Sequence, residues 1–146
     1  MSTVYPREEI EAEFAKYVER GKASDWSAWA DQFTEDATYV EHHFGRFEGR
    51  EAIRGWITQV MGTFPGNRMP TFPIDWYVVD EDRGWIVCQV ENRMEDPGDG
   101  SVHQGANITI LHYAGDGRWS YEEDVYNPAH FATMVEGWQR RVDELA

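Results

Sequence analysis

Three turn signals in the second half of the chain constrain its fold more than any other feature. Asp80-Glu81-Asp82, Pro97-Gly98-Asp99-Gly100 and Gly115-Asp116-Gly117 separate four segments, 71–79, 85–95, 102–113 and 119–126, that are rich in β-branched and aromatic residues. Strands joined by such short turns pair with their sequence neighbours, so the segments predict an antiparallel meander. The first half follows a different period. Ile10, Phe14, Tyr17 and Val18 recur at helical spacing within 7–20, with Gly21 as a stop. A second helix starts at the capping pair Ser24-Asp25 and carries Trp26, Trp29 and Phe33 on one side. A short strand over 37–43 and a turn bracketed by Gly45 and Gly49 lead to a third helix over 50–64, which buries Ile53, Trp56, Ile57 and Val60. Asn127-Pro128 caps a short last helix with Phe131, Met134, Val135 and Trp138 on one face.

Helices followed by a run of strands are the mark of an α+β domain. The expectation is a single domain over 1–146: a strongly curved antiparallel sheet with helices on its concave face, forming a cone-like pocket. Seven Trp, seven Tyr and seven Phe are more aromatic surface than a minimal core needs, and suit a pocket for a hydrophobic small molecule or a dimer face. A net charge of −14 with no basic stripe argues against nucleic acid and against anionic membranes. No stretch approaches the roughly 20 apolar residues of a membrane span. The single cysteine, Cys88, excludes an intrachain disulfide, and the absence of a leader reads as cytoplasmic.

The element order, the segment Phe33-Thr34-Glu35-Asp36-Ala37-Thr38-Tyr39 and the later Gly49-Arg50-Glu51-Ala52-Ile53 resemble the nuclear transport factor two-like, or SnoaL-like, superfamily over nearly the whole chain. That superfamily includes isomerases, cyclases, dehydratases, epoxide hydrolases and non-catalytic binders. Likeness to the ketosteroid isomerases implies a general base at Glu41 and an oxyanion donor at Tyr17, while their second donor falls near Thr109. Likeness to the limonene-epoxide-hydrolase type implies a pocket tyrosine at Tyr39, a water-holding position at Glu41, the pair Arg93-Met94-Glu95, and a last acid at Asp124.

Residues two apart on a strand share a face. Tyr39, Glu41 and His43 therefore point one way, as do Arg93 and Glu95, and Glu122, Asp124 and Tyr126. If those faces are concave, the acids meet an arginine in an apolar chamber, where burial raises a carboxyl pKa by up to ~3–5 units and a neighbouring cation lowers it. The leading expectation is cofactor-independent acid/base chemistry of the isomerase, cyclase or hydratase sort, with Glu41 as base and Tyr17 or Tyr39 as donor. His43, Asn107, Thr109, Tyr126, Trp29 and Trp56 are expected to bind the substrate. One alternative is epoxide hydrolysis by Asp124, Arg93 and Glu95. Another is a non-catalytic binder or a homodimer formed through the sheet at Trp85, Val87 and Val102. Surface roles compete throughout: Arg93-x-Glu95 also fits a cross-strand surface pair, and Glu122-Glu123 a solvated acidic edge. His42 and His43 are adjacent and point to opposite faces, so no metal site is expected. No glycine-rich loop runs from a strand into a helix, so no cofactor is expected either.

Overall fold

The computed structural model describes residues 5–146. Helix α1 spans Arg7–Lys22, with acidic Glu8 and Glu9 in its first turn and basic Arg20 and Lys22 in its last, complementing the helix dipole. It buries Ile10 and Phe14. Helix α2, Trp26–Ala30, is a little over one turn long, and the Asp25 carboxylate accepts from the Ala28 amide at its start. Phe33, expected at the end of this helix, instead opens strand β1, Phe33–Glu41. The bracketed turn after β1 contains a further strand, β2, Gly45–Glu48. Helix α3, Arg50–Met61, follows and buries Ile53 and Ile57.

Strands β3 (Ile74–Asp80), β4 (Trp85–Arg93), β5 (Gln104–Gly115) and β6 (Arg118–Val125) form the expected meander. The six-stranded sheet has the order β2-β1-β6-β5-β4-β3. Strand β1 lies parallel to β6, with Tyr39 opposite Glu122 and Glu41 opposite Asp124. Register shifts within the β1–β6, β3–β4 and β5–β6 pairs mark bulges, which bend strands and let the sheet curl around its contents. Helix α4, Pro128–Leu145, is long rather than short; Asn127 caps it by accepting from the Ala129 amide.

The main core lies between α1, α2, α3 and the concave face, and is filled by residues such as Phe14, Trp29, Phe33, Ile53, Ile86, Leu111 and Trp119. A smaller cluster, Met94, Met134 and Trp138, fastens α4 to the end of the sheet. On the convex face Trp85, His112 and Tyr121 stack in a row, with centroids 4.0 and 4.3 Å apart. Val102, expected on a strand beside Trp85, precedes β5 in a loop and is exposed. Among the described residues no helix is long and apolar enough to cross a membrane.

Candidate active site

The curl of the sheet leaves a cavity of about 780 Å³ between its concave face and the helices. Trp26 and Trp29 reach it from α2, Trp56, Ile57 and Val60 from α3, and Phe131 and Val135 from α4. The last helix therefore forms one wall. Four strands supply the polar floor through alternate residues: Tyr39 and Glu41 from β1, Asn92 from β4, Asn107 and Thr109 from β5, and Glu122 and Asp124 from β6.

Glu122 is the centre of this floor and is only 2% exposed. Tyr17 of α1 donates to one of its oxygens at 3.0 Å, and the Tyr39 hydroxyl lies 2.7 Å from the other. The same Tyr39 hydroxyl makes a short hydrogen bond to Asp124. A second chain of donors reaches Asp124 from across the sheet. Asn92 Nδ2 donates to Asn107 Oδ1 at 2.7 Å, Asn107 Nδ2 to Thr109 Oγ1 at 2.8 Å, and Thr109 Oγ1 to Asp124 at 2.7 Å. Thr109 Oγ1 thus accepts from Asn107 and donates its own proton to Asp124.

Proton counting constrains the two acids. Tyr39 has one hydroxyl proton and touches both carboxyls; when it donates to Asp124, its contact with Glu122 needs a proton from Glu122. The electrostatics agree. Burial, with Asp124 beside it, pushes the Glu122 carboxyl well above the usual range. Burial also raises Asp124, opposed by hydrogen bonds from Glu122, Tyr39 and Thr109 that favour its anion. Tyr17 and Tyr39 are pushed well up by burial and by the same carboxylates, so both hydroxyls keep their protons. Cys88, buried in β4, is likewise raised by burial and stays an unreactive thiol.

Glu41, 6% exposed, stands on the next strand. One of its oxygens accepts from the His43 and Phe44 amides at 2.6 and 3.1 Å; the other accepts from the Tyr126 hydroxyl at 2.6 Å. Glu41 thus ties down the β1–β2 turn while lining the cavity.

The structure brings together Tyr17, Tyr39, Glu41, Asn107, Thr109, Asp124, Tyr126, Trp29 and Trp56, with His43 at the exposed rim. It does not bring Arg93 and Glu95 to them. On β4 the inward positions are Ile86, Cys88 and Val90, and Asn92 continues that face, so Arg93 points the other way and donates to Gln104 at 2.9 Å. Glu95 lies beyond the end of the strand, where alternation no longer holds, and pairs with Arg68 at 2.5 Å. The Asp124-Arg93-Glu95 grouping is therefore not formed. Sequence reasoning missed Glu122 and Asn92 as site residues. The two-residue spacing from Asp124 pointed to Glu122, but its neighbour Glu123 made the pair look like a solvated edge.

The match to the SnoaL-like domain family spans residues 14–122, from the middle of α1 into β6. The chain belongs to that family. No curated protein sequence matches it. Solved structures share the fold at low identity. A protein of ketosteroid isomerase-like fold from Catenulispora acidiphila, in complex with trimethylamine, is 17% identical, covering 85% of this chain and 92% of its own, with a TM-score of 0.69. An LEH-like epoxide hydrolase from M. tuberculosis is 12% identical, covering 94% and 97%, with a TM-score of 0.70. The epoxide hydrolase/cyclase-like enzyme SalBIII, of pyran ring formation in salinomycin, is 15% identical, covering 84% and 94%, with a TM-score of 0.67. Within the SnoaL-like fold this chain places paired carboxyls at the bottom of an aromatic cavity.

Proposed function

We propose that this SnoaL-like protein is a cofactor-independent acid/base enzyme of the isomerase, cyclase or hydratase type, acting on a hydrophobic small molecule. The observation that carries this reading is the Glu122-Tyr39-Asp124 bridge, in which two buried carboxyls share one hydroxyl and burial pushes Glu122 well above the usual carboxyl range. Asp124, ionised and open to the cavity, takes a proton from the substrate. Glu122, protonated, returns one through the Tyr39 hydroxyl, so the net transfer needs no cofactor. The base role expected at Glu41 is better served by Asp124. Both Glu41 oxygens are already held by donors, two of them backbone amides that tie the side chain to the β1–β2 turn. Glu41 then acts as a fixed negative charge beside the reacting atoms.

The same pair supports epoxide opening as a second reading. Glu122 would protonate the epoxide oxygen and Asp124 would deprotonate a water or an internal hydroxyl, with no part for Arg93 or Glu95. The separating experiment is a panel of enones, polyketide-like ketones and epoxides, followed by Asp124→Asn on whichever substrate turns over. Loss of about 10²–10⁴-fold in kcat/KM is expected. The wild-type profile should be bell-shaped, rising with ionisation of Asp124 and falling with ionisation of Glu122. Undiminished turnover by Asp124→Asn would remove the proposed base.

A further inference from the structure

The charges facing the cavity point to a ligand class. Asp124 accepts from Tyr39 and Thr109, and Glu41 accepts from two amides and Tyr126. Both carboxyls meet donors alone, and they stand side by side as register partners on neighbouring strands. Neither enters a salt bridge among the described residues. Among the described residues no lysine or arginine lines the cavity, and His43 sits at its exposed rim. Charges buried in an apolar surround are normally paired, because the desolvation they suffer is otherwise uncompensated. Here the described residues supply no cationic partner.

The walls narrow the chemistry of that partner. Trp26, Trp29, Trp56, Phe72 and Phe131 line the same cavity, and aromatic faces attract organic cations. Among the described residues no group of acids and histidines has the arrangement of a metal site. We propose that the cavity takes a substrate bearing a positively charged nitrogen on a hydrophobic body, the ammonium lying beside Glu41 and Asp124 and against the aromatic wall. Ligands with a carboxylate or phosphate at that place are repelled. The inference takes the cavity of the preceding section as the active site, but it does not depend on which group moves the proton.

The test is binding rather than turnover, which keeps the two claims apart. Three probes of nearly equal shape are titrated against the tryptophan fluorescence of the intact protein: benzyltrimethylammonium, its neutral isostere neopentylbenzene, and the anion benzyldimethylacetate. The ammonium should bind at least about tenfold tighter than the neutral compound, and the anion more weakly than both. Glu41→Gln and Asp124→Asn should each reduce that preference while leaving neopentylbenzene binding intact, which also reports a folded cavity. Equal or tighter binding of the neutral probe or the anion overturns the proposal, as does an ammonium that fails to bind. A preference that survives in the double variant overturns it too. Should the ammonium preference fail while Asp124→Asn still abolishes turnover, the acid/base reading stands alone.

Discussion

At the scale of single residues, Glu122 is the group on which both stability and the proposed chemistry turn. Its folded-state pKa is raised, so the unfolded chain gives up this proton at lower pH than the native one. The contribution is therefore fully present below the ordinary glutamate value, about 4.3, and is lost as pH rises toward the folded value. Glutamine carries a donor and an acceptor in the same shape and does not titrate. Glu122→Gln should consequently show a smaller fall in melting temperature from acid to neutral pH than the wild type. Glu122→Leu should cost about 1–3 kcal/mol for each hydroxyl it strands, those of Tyr17 and Tyr39. Thermal melts across pH check both; parallel curves for wild type and Glu122→Gln would mean that Glu122 is not the titrating group. Strand alternation made Glu41, Tyr39 and Asp124 legible, because those residues fall in the stretch where β1 and β6 pair in regular register. It failed for Arg93 and Glu95, because parity on β4 is set by which face Ile86, Cys88 and Val90 bury, and because the strand ends at Arg93. The donor chain from Asn92 was invisible, since it joins residues on three strands whose register no single segment encodes.

At the scale of elements, the meander was readable because each connection carries its own turn chemistry, and α1 because its apolar period is unbroken. Strand β2 was not readable. Four residues, opened by one glycine and followed by another, carry too little pattern, and their pairing with β1 is what makes them a strand. Helix α4 outran its expected length because its outer turns are polar and are held by tertiary contacts at one face. Those contacts form a cluster separate from the main core, and Trp138 Nε1 donates to the Glu95 carbonyl at 2.8 Å. A helix fastened this way can open without melting the sheet. Trp138→Ala should weaken α4 docking by about 3–5 kcal/mol. Amide exchange should then quicken along α4 while β5 and β6 keep their protection; equal acceleration in helix and sheet would show instead that α4 is part of one cooperative unit.

At the scale of the whole molecule, a curved sheet, three helices and a capping fourth create one aromatic cavity, and β6 delivers two acids to its floor. The order of elements was enough to indicate this architecture, since helices ahead of a meander can bury their apolar faces only on one side of the sheet. The protonation state of the floor was not legible, because it arises from burial and from four hydroxyls arriving from α1, β1, β5 and the segment after β6. That state is the central claim. Carbon-13 NMR of the side-chain carboxyls at neutral pH, assigned by comparing wild type with Glu122→Gln and Asp124→Asn, reads it directly. The account predicts a protonated carboxyl signal that disappears in Glu122→Gln, together with an ionised Asp124. Two ionised carboxylates at Glu122 and Asp124, or a protonated signal that persists in Glu122→Gln, would contradict it.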